Sequence, residues 1–483
     1  MPKRCISGRN KAHATWPHAA WPAAVLALVG VCCLGAEGTL PEGTSVAPGK
    51  PLTDHRGYRL LVDKAYLPPD FDQETFDRVW EQWPSDLRQA AAQASPQRRR
   101  QMAFERYGLT GRPDNPDQPL QYVVDPQGQW TMNCLACHGG SVPDGRGGRV
   151  VWPGAPNSRY ALQTLTEETR LVKVALRKPF SRMDLGSVFI PLGATHGTTN
   201  AVMFGVALMA LRDPDLNLRR DRALPAMTHH DMDAPPWWHL KRKTKLYIDG
   251  FAARGHRPLM QFLLVPQNGP DKFRAWEAEF RDVLDYLQSI PAPRYPYPID
   301  RDLAERGRIA FQRVCAECHG TYGPGGVYPQ RHVPLDEVGT DPVRFRALTA
   351  AHRAAYAQSW FADYGRAETV LEPPGYVAPP LDGVWASAPY FHNGSVPTLW
   401  HVLFHDQRPA VWRRVEGDDD YDPQRVGLRI EAAETIPPEM RDPWQRRAWF
   451  DTRLAGKSAA GHRFAEALSP EERWAVLEYL KTL

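Results

Sequence analysis

Four cysteines carry the chemistry written into this sequence. They stand as Cys134-Leu-Ala-Cys137-His138 and Cys315-Ala-Glu-Cys318-His319. The chain has seven cysteines, and the other three, Cys5, Cys32 and Cys33, fall within its first 36 residues. Every thiol beyond that stretch therefore belongs to a C-x-x-C-H motif, the attachment site of c-type haem. Each thiol adds across a haem vinyl group, and the adjacent imidazole is placed to bind the iron. Zinc would need all four sulfurs at one point, across the 181 positions that separate Cys134 from Cys315. It would also leave the histidine after each pair unexplained. A thioredoxin-like pair accounts for one motif, not two. The expected cofactors are two covalently bound haem c groups, on Cys134 and Cys137 and on Cys315 and Cys318, with His138 and His319 as iron ligands.

Covalent haem attachment requires export, and the N-terminus supplies an export pattern. Lys3, Arg4, Arg9 and Lys11 precede a 12-residue apolar run, Ala23 to Leu34, followed by Gly35 and Ala36. This is the layout of a secretory signal peptide, so residues 1–36 are expected to be removed. The product would be periplasmic or secreted. Twelve residues are too few to cross a bilayer, and no membrane span is expected in the mature form. The formal charge of +4 comes entirely from those four residues, because the remaining 55 basic side chains match 55 acidic ones. A neutral chain without a basic face argues against nucleic acid as a partner. The 16 tryptophans suit packing around something large and flat.

The elements that must position these motifs read as two halves. Val283-Leu-Asp-Tyr286-Leu287 near the middle is echoed by Val476-Leu-Glu-Tyr479-Leu480 at the end. A period of about 190 fits domain duplication. Both segments have helical spacing. The last begins at Ser469-Pro-Glu-Glu472, a capping box with proline at the first helical position. Residues 301–314 read as a helix leading into the second motif, capped by Asp300. Between the halves, Ile290-Pro-Ala-Pro-Arg-Tyr-Pro-Tyr-Pro-Ile299 has four prolines, which favour an extended linker. The expected fold is mainly α, with two cytochrome c-like haem domains, long loops and an N-terminal extension. Its divisions are 1–36 signal peptide, 37–100 extension with short helices, 101–290 first domain, 291–299 linker and 300–483 second domain.

From Leu381 to Leu399 the chain reads Leu-Asp-Gly-Val-Trp-Ala-Ser-Ala-Pro-Tyr-Phe-His-Asn-Gly-Ser-Val-Pro-Thr-Leu. This resembles the signature of the dihaem cytochrome c peroxidase (MauG-like) superfamily, closest to its rubber-oxygenase-like branch. Pro235-Pro-Trp237-Trp238-His-Leu-Lys-Arg-Lys, Gly197-Thr-Thr-Asn200-Ala and Ala460-Gly461-His462 match that branch too. The resemblance covers residue 120 to the end. It implies a haem oxidoreductase in which the first haem activates hydrogen peroxide or dioxygen and the second relays electrons. It also implies that His462 binds the second iron, with His405 the second choice, and that a tryptophan at the Trp237-Trp238 pair, preferably Trp238, relays between the haems. Tyr247 and Phe251 would line the distal side of the first haem. Core packing is the plain alternative for all four aromatics. Lys241, Arg242, Lys243 and Lys245 are candidates to pair with haem propionates. A small redox donor protein or an apolar organic substrate is the expected partner. Calcium occurs in such peroxidases, but no ligand set stands out. A dihaem electron carrier without catalysis is the alternative function.

Overall fold

The second half shows how the sequence builds the core around its C-x-x-C-H motif. Helix Arg301–Val314 starts where the Asp300 carboxylate accepts from the Leu303 amide at 2.9 Å. It runs directly into Cys315. Helix Pro470–Leu480 starts at the Ser469/Glu472 capping box, whose two arms both form. The two helices cross with Gly307 against the Ala475 carbonyl; a Cβ at Gly307 would sit 1.9 Å from that oxygen. Only glycine allows so close an approach. The rings of Phe311 and Tyr479 meet at 5.2 Å across the same crossing.

The first half has a similar crossing. Helix Glu277–Ser289 carries Val283 to Leu287, and helix Arg56–Asp63 crosses it. A Cβ at Gly57 would lie 2.3 Å from the Asp282 carbonyl oxygen. Asp282 precedes Val283 as Ala475 precedes Val476. The ring contact recurs as well, between Tyr58 and Tyr286 at 5.9 Å. The likeness between the two helix crossings therefore begins at residue 56. The described part of the segment 37–100, from residue 52, is not an appendage, because its first helix is the partner of the first half's last helix. Tyr58, Leu61 and Val62 are buried in the main core, and residue 100 falls inside helix Pro96–Tyr107. What differs is the insertion: Gly307 is eight positions before Cys315, whereas Gly57 is 77 before Cys134. The first motif is entered not from a helix but from strand Gln129–Met132.

These observations come from a computed structural model that describes residues 52–417 and 419–483. The signal-peptide reading falls on residues outside that set. The described residues form one compact unit, in which helices are joined by small sheets. The architecture is thus mixed rather than mainly α. One three-stranded antiparallel sheet has Gln129–Met132 at its centre, between Phe71–Asp72 and Tyr122–Val124. Another has Val411–Arg414 between Ile430–Ala433 and Trp449–Asp451. Strands of two to four residues are too short to show the alternation that marks a strand in sequence. The proline-rich linker is extended, but it lies in the core: Ile290 and Tyr295 are buried, and Trp385 donates to the Pro293 carbonyl at 2.8 Å. No helix among the described residues is long and apolar enough to cross a membrane.

Candidate functional site

Both motif histidines are held the same way. His138 directs Nδ1 to the Pro235 carbonyl at 3.0 Å, and His319 directs Nδ1 to the Pro379 carbonyl at 2.8 Å. Each acceptor is the first proline of an Ala-Pro-Pro triplet, 234–236 and 378–380. A carbonyl on Nδ1 fixes the ring and reserves Nε2 as the ligating nitrogen. Burial holds both imidazoles neutral, His138 down to about 4, and the neutral ring is the one that binds iron. The thiols are pushed upward by burial, Cys134 to about 11 and Cys137 and Cys315 to about 12. Protonated, buried thiols are poor zinc ligands and poor redox catalysts, which fits thioether attachment. Among the described residues, no group of three or more His, Cys, Asp or Glu side chains gathers to hold a metal ion.

The two histidines differ in what faces them. The His462 ring stands 6.1 Å from the His319 ring, centre to centre. Two imidazoles that share a metal ion at roughly 2 Å each need a gap of that order. His462 is aimed by its backbone. Gly461, at φ +77°, leaves no room for a Cβ, which would lie 2.2 Å from Gly339. His462 itself is left-handed at φ 51°, and its amide donates to the Val338 carbonyl at 2.6 Å. Phe391 and Phe464 flank its ring, and its Nδ1 is buried without a partner. Burial, followed by the nearby His319, lowers it to about 3. His405 Nε2 lies 2.7 Å from Asp406 and 2.9 Å from Glu466, yet it makes no hydrogen bond to either.

Among the described residues, the ring recorded beside His138 is Trp237, stacked at 4.8 Å and 24°. Gly154 clamps this pair, donating to the His138 carbonyl and accepting from the Trp237 amide. Trp238 is fully buried and turns the other way. Its Nε1 donates to the Asp382 carbonyl at 2.7 Å, three residues after the Pro379 that holds His319. His239 contacts the same carbonyl through Nε2 at 2.8 Å, and Arg242 pairs with the Asp382 carboxylate at 2.6 Å. Arg242 therefore already has an acid, while Lys245 pairs with Glu368. Lys243 is lowered to about 8 by burial alone.

Tyr247 and Phe251 stack at 4.7 Å and line a cavity with about 100 Å³ of room for water-sized groups. Its opposite wall is helix Ala201–Ala210, with Val202, Gly205, Val206 and Met209 facing the space. Just before this helix, the Thr199 side chain is near enough to the Cys137 thiol to offset part of the rise that burial causes. A Cβ on Gly205 would meet nothing within 4 Å. A mid-helix glycine costs about 1 kcal/mol relative to alanine, and this one gives the cavity its width. Sequence reasoning missed the two Ala-Pro-Pro acceptors. Their repetition was the available signal.

A family model described as RoxA-like, cytochrome c-like matches residues 375–413. That stretch contains Pro379, Asp382 and Phe391. Two proteins of Sinorhizobium fredii are similar to this chain. Uncharacterized protein y4iM is 30% identical over 41% of this chain and 53% of its own length; uncharacterized protein y4iJ is 28% identical over 40% and 41%. The chain spans about half the length of these curated relatives. The match makes the chain cytochrome c-like over residues 375–413, which implies covalently bound haem c with its iron.

Proposed function

We propose that this is an exported dihaem c-type oxidoreductase of the dihaem peroxidase type, closest to its rubber-oxygenase-like branch. Cys134, Cys137 and His138 hold a reactive first haem. Cys315, Cys318, His319 and His462 hold a second that relays electrons. The observation that carries this reading is the asymmetry of the two sites. His319 looks across 6.1 Å at a second imidazole, while His138 stacks on Trp237, and the helix that follows Thr199 lines a largely apolar cavity. Haem with an open axial position supplies the chemistry with peroxide or dioxygen, and haem with two histidines carries electrons.

The chain's own residues divide the remaining work. Pro235 and Pro379 orient the two ligating rings. Trp237 and Trp238 form a route from His138 to the Pro379–Asp382 segment that holds His319. Tyr247, Phe251 and the 201–210 helix keep water scarce on the reactive side. The cavity lining includes Gln261, His352, Arg344 and Arg353 but no carboxylate. Peroxidases of this type often move protons at that place with a glutamate; here the imidazole of His352 stands in the lining instead, and the largely apolar character of the rest supports dioxygen chemistry on an apolar organic substrate. Adding one equivalent of hydrogen peroxide, then air with a candidate alkene, to the purified holoprotein tests this. A spectral change at the first haem with oxygen uptake that depends on the alkene is expected. Inertness to both would leave an electron carrier.

A further inference from the structure

The cavity lined by Tyr247 and Phe251 contains a charge that its hydrogen-bonding partners do not balance: two buried guanidinium groups and one carboxylate. Arg344, Arg353 and Asp249 are at most 3% exposed. Both guanidinium groups lean on one oxygen, Asp249 Oδ2, Arg353 Nη2 at 2.7 Å and Arg344 Nη1 at 3.4 Å. Arg353 Nη1 also reaches the Leu371 carbonyl at 3.3 Å. Asp249 Oδ1, Arg344 Nε and Arg353 Nε are buried without partners. Neither arginine makes the two-pronged contact that its planar fork favours with a carboxylate. Burial raises Asp249, but the two arginines outweigh it and hold the acid ionised. Two buried cations then share one anion, leaving a net positive charge in a dry place, which is costly unless another anion completes the group.

Both arginines also line the cavity, opposite Val202, Gly205, Val206 and Met209. The rest of the lining is mostly apolar, Tyr247, Phe251, Leu348 and Tyr356 among it, with Gln261 and His352 as polar exceptions, and Phe262, which also lines it, is 43% exposed. The cavity thus has a largely apolar lining that carries a buried pair of cations. A single water needs about 10–15 Å³, so the space suits roughly seven to ten heavy atoms.

We propose that the pocket binds a medium-chain apolar carboxylic acid head-in, with its carboxylate on Arg344 and Arg353 and its chain along the 201–210 helix. This inference rests on the reading of the cavity as the substrate side of the first haem, and it names the substrate class as an anionic amphiphile. Octanoate, an unreactive acid of ten heavy atoms, is the probe, and 1-octanol is its neutral control.

Both probes are titrated into the ferric holoprotein by calorimetry, with the haem absorption recorded alongside. One octanoate per chain should bind at least tenfold more tightly than octanol. Arg344→Gln and Arg353→Gln should each weaken octanoate about tenfold or more, as loss of a charge-assisted hydrogen bond implies, and leave octanol unchanged. Arg353→Lys keeps the charge and serves if the neutral variants fail to fold; it should weaken octanoate in the same direction. Gly205→Leu places a side chain in open space and should abolish both ligands in a folded protein. Equal binding of octanoate and octanol would overturn the proposal, as would octanoate affinity indifferent to all three arginine variants. If the variants shift a haem potential or release haem while octanoate affinity stays unchanged, the arginines serve a haem propionate and the proposal fails. Failure of the peroxide and alkene reactions while octanoate binds as described would overturn only the catalytic reading.

Discussion

Replacing Gly307 with alanine would put a methyl carbon 1.9 Å from the Ala475 carbonyl oxygen. A comfortable carbon–oxygen contact is about 3.3 Å, so the crossing of helices 301–314 and 470–480 must open by about 1.4 Å. At Gly57 the starting distance to the Asp282 oxygen is 2.3 Å, so that crossing must open by about 1 Å on the same reference. The obstacle is backbone in both cases and cannot swing aside. Overpacking costs about 1–3 kcal/mol, while alanine in place of helical glycine returns about 1 kcal/mol. The expected net losses are about 2 kcal/mol for Gly307→Ala and about 1 kcal/mol for Gly57→Ala. Guanidinium titration of the holoprotein would measure them, with absorption at each haem followed separately. Gly57→Ala should loosen the first haem and Gly307→Ala the second. If either variant is as stable as the parent, the paired crossings are not packed this tightly and the likeness between them falls.

Removing both thiols of one motif, Cys134→Ala with Cys137→Ala, should lower the intact mass by one haem and abolish reaction with peroxide; two haems retained would refute the assignment. Trp238→Phe keeps an apolar ring but loses the donor to Asp382. It should cost about 1 kcal/mol and slow electron exchange between the haems in flash-reduction experiments, while both spectra stay unchanged. His239, 4% exposed, is lowered to about 3, chiefly by burial, with its positively charged neighbours adding to the effect. The unfolded chain takes up a proton there below about 6.5, while the folded chain does not until about pH 3. Stability should therefore fall as pH drops. His239→Gln should remove about 1.4 kcal/mol of the loss between pH 7.5 and 5.5, measured by thermal or denaturant unfolding at both values. Asp249→Ala leaves Arg344 and Arg353 without their acid and should destabilise by about 3–5 kcal/mol, a much larger loss than at an exposed ion pair.

The parts legible in sequence were those set by short-range chemistry. The motifs declare themselves by spacing, Ser469 and Asp300 cap the helices they precede, and four prolines keep 290–299 extended. His462 was reached through resemblance, and it stands opposite the His319 ring. The parts that were not legible depend on distance along the chain. Helix Arg56–Asp63 lies 71 positions before Cys134, so nothing local connects it to that motif, although Arg56-Gly57 repeats Arg306-Gly307. The carbonyls of Pro235 and Pro379 belong to backbone and leave no side-chain signature. Asp249, Arg344 and Arg353 come from separated loops and helices, and only folding brings them together. Tyr247 and Phe251 were open to a packing reading as well as a lining one, and their stacked pair both packs and lines.

The central claim is that one haem is closed by two histidines and the other is open. Electron paramagnetic resonance of the ferric holoprotein, with and without His462→Ala, tests it most directly. The account predicts one low-spin and one high-spin haem, with His462→Ala converting the low-spin signal and leaving the high-spin one in place. Two low-spin signals that survive His462→Ala would contradict it.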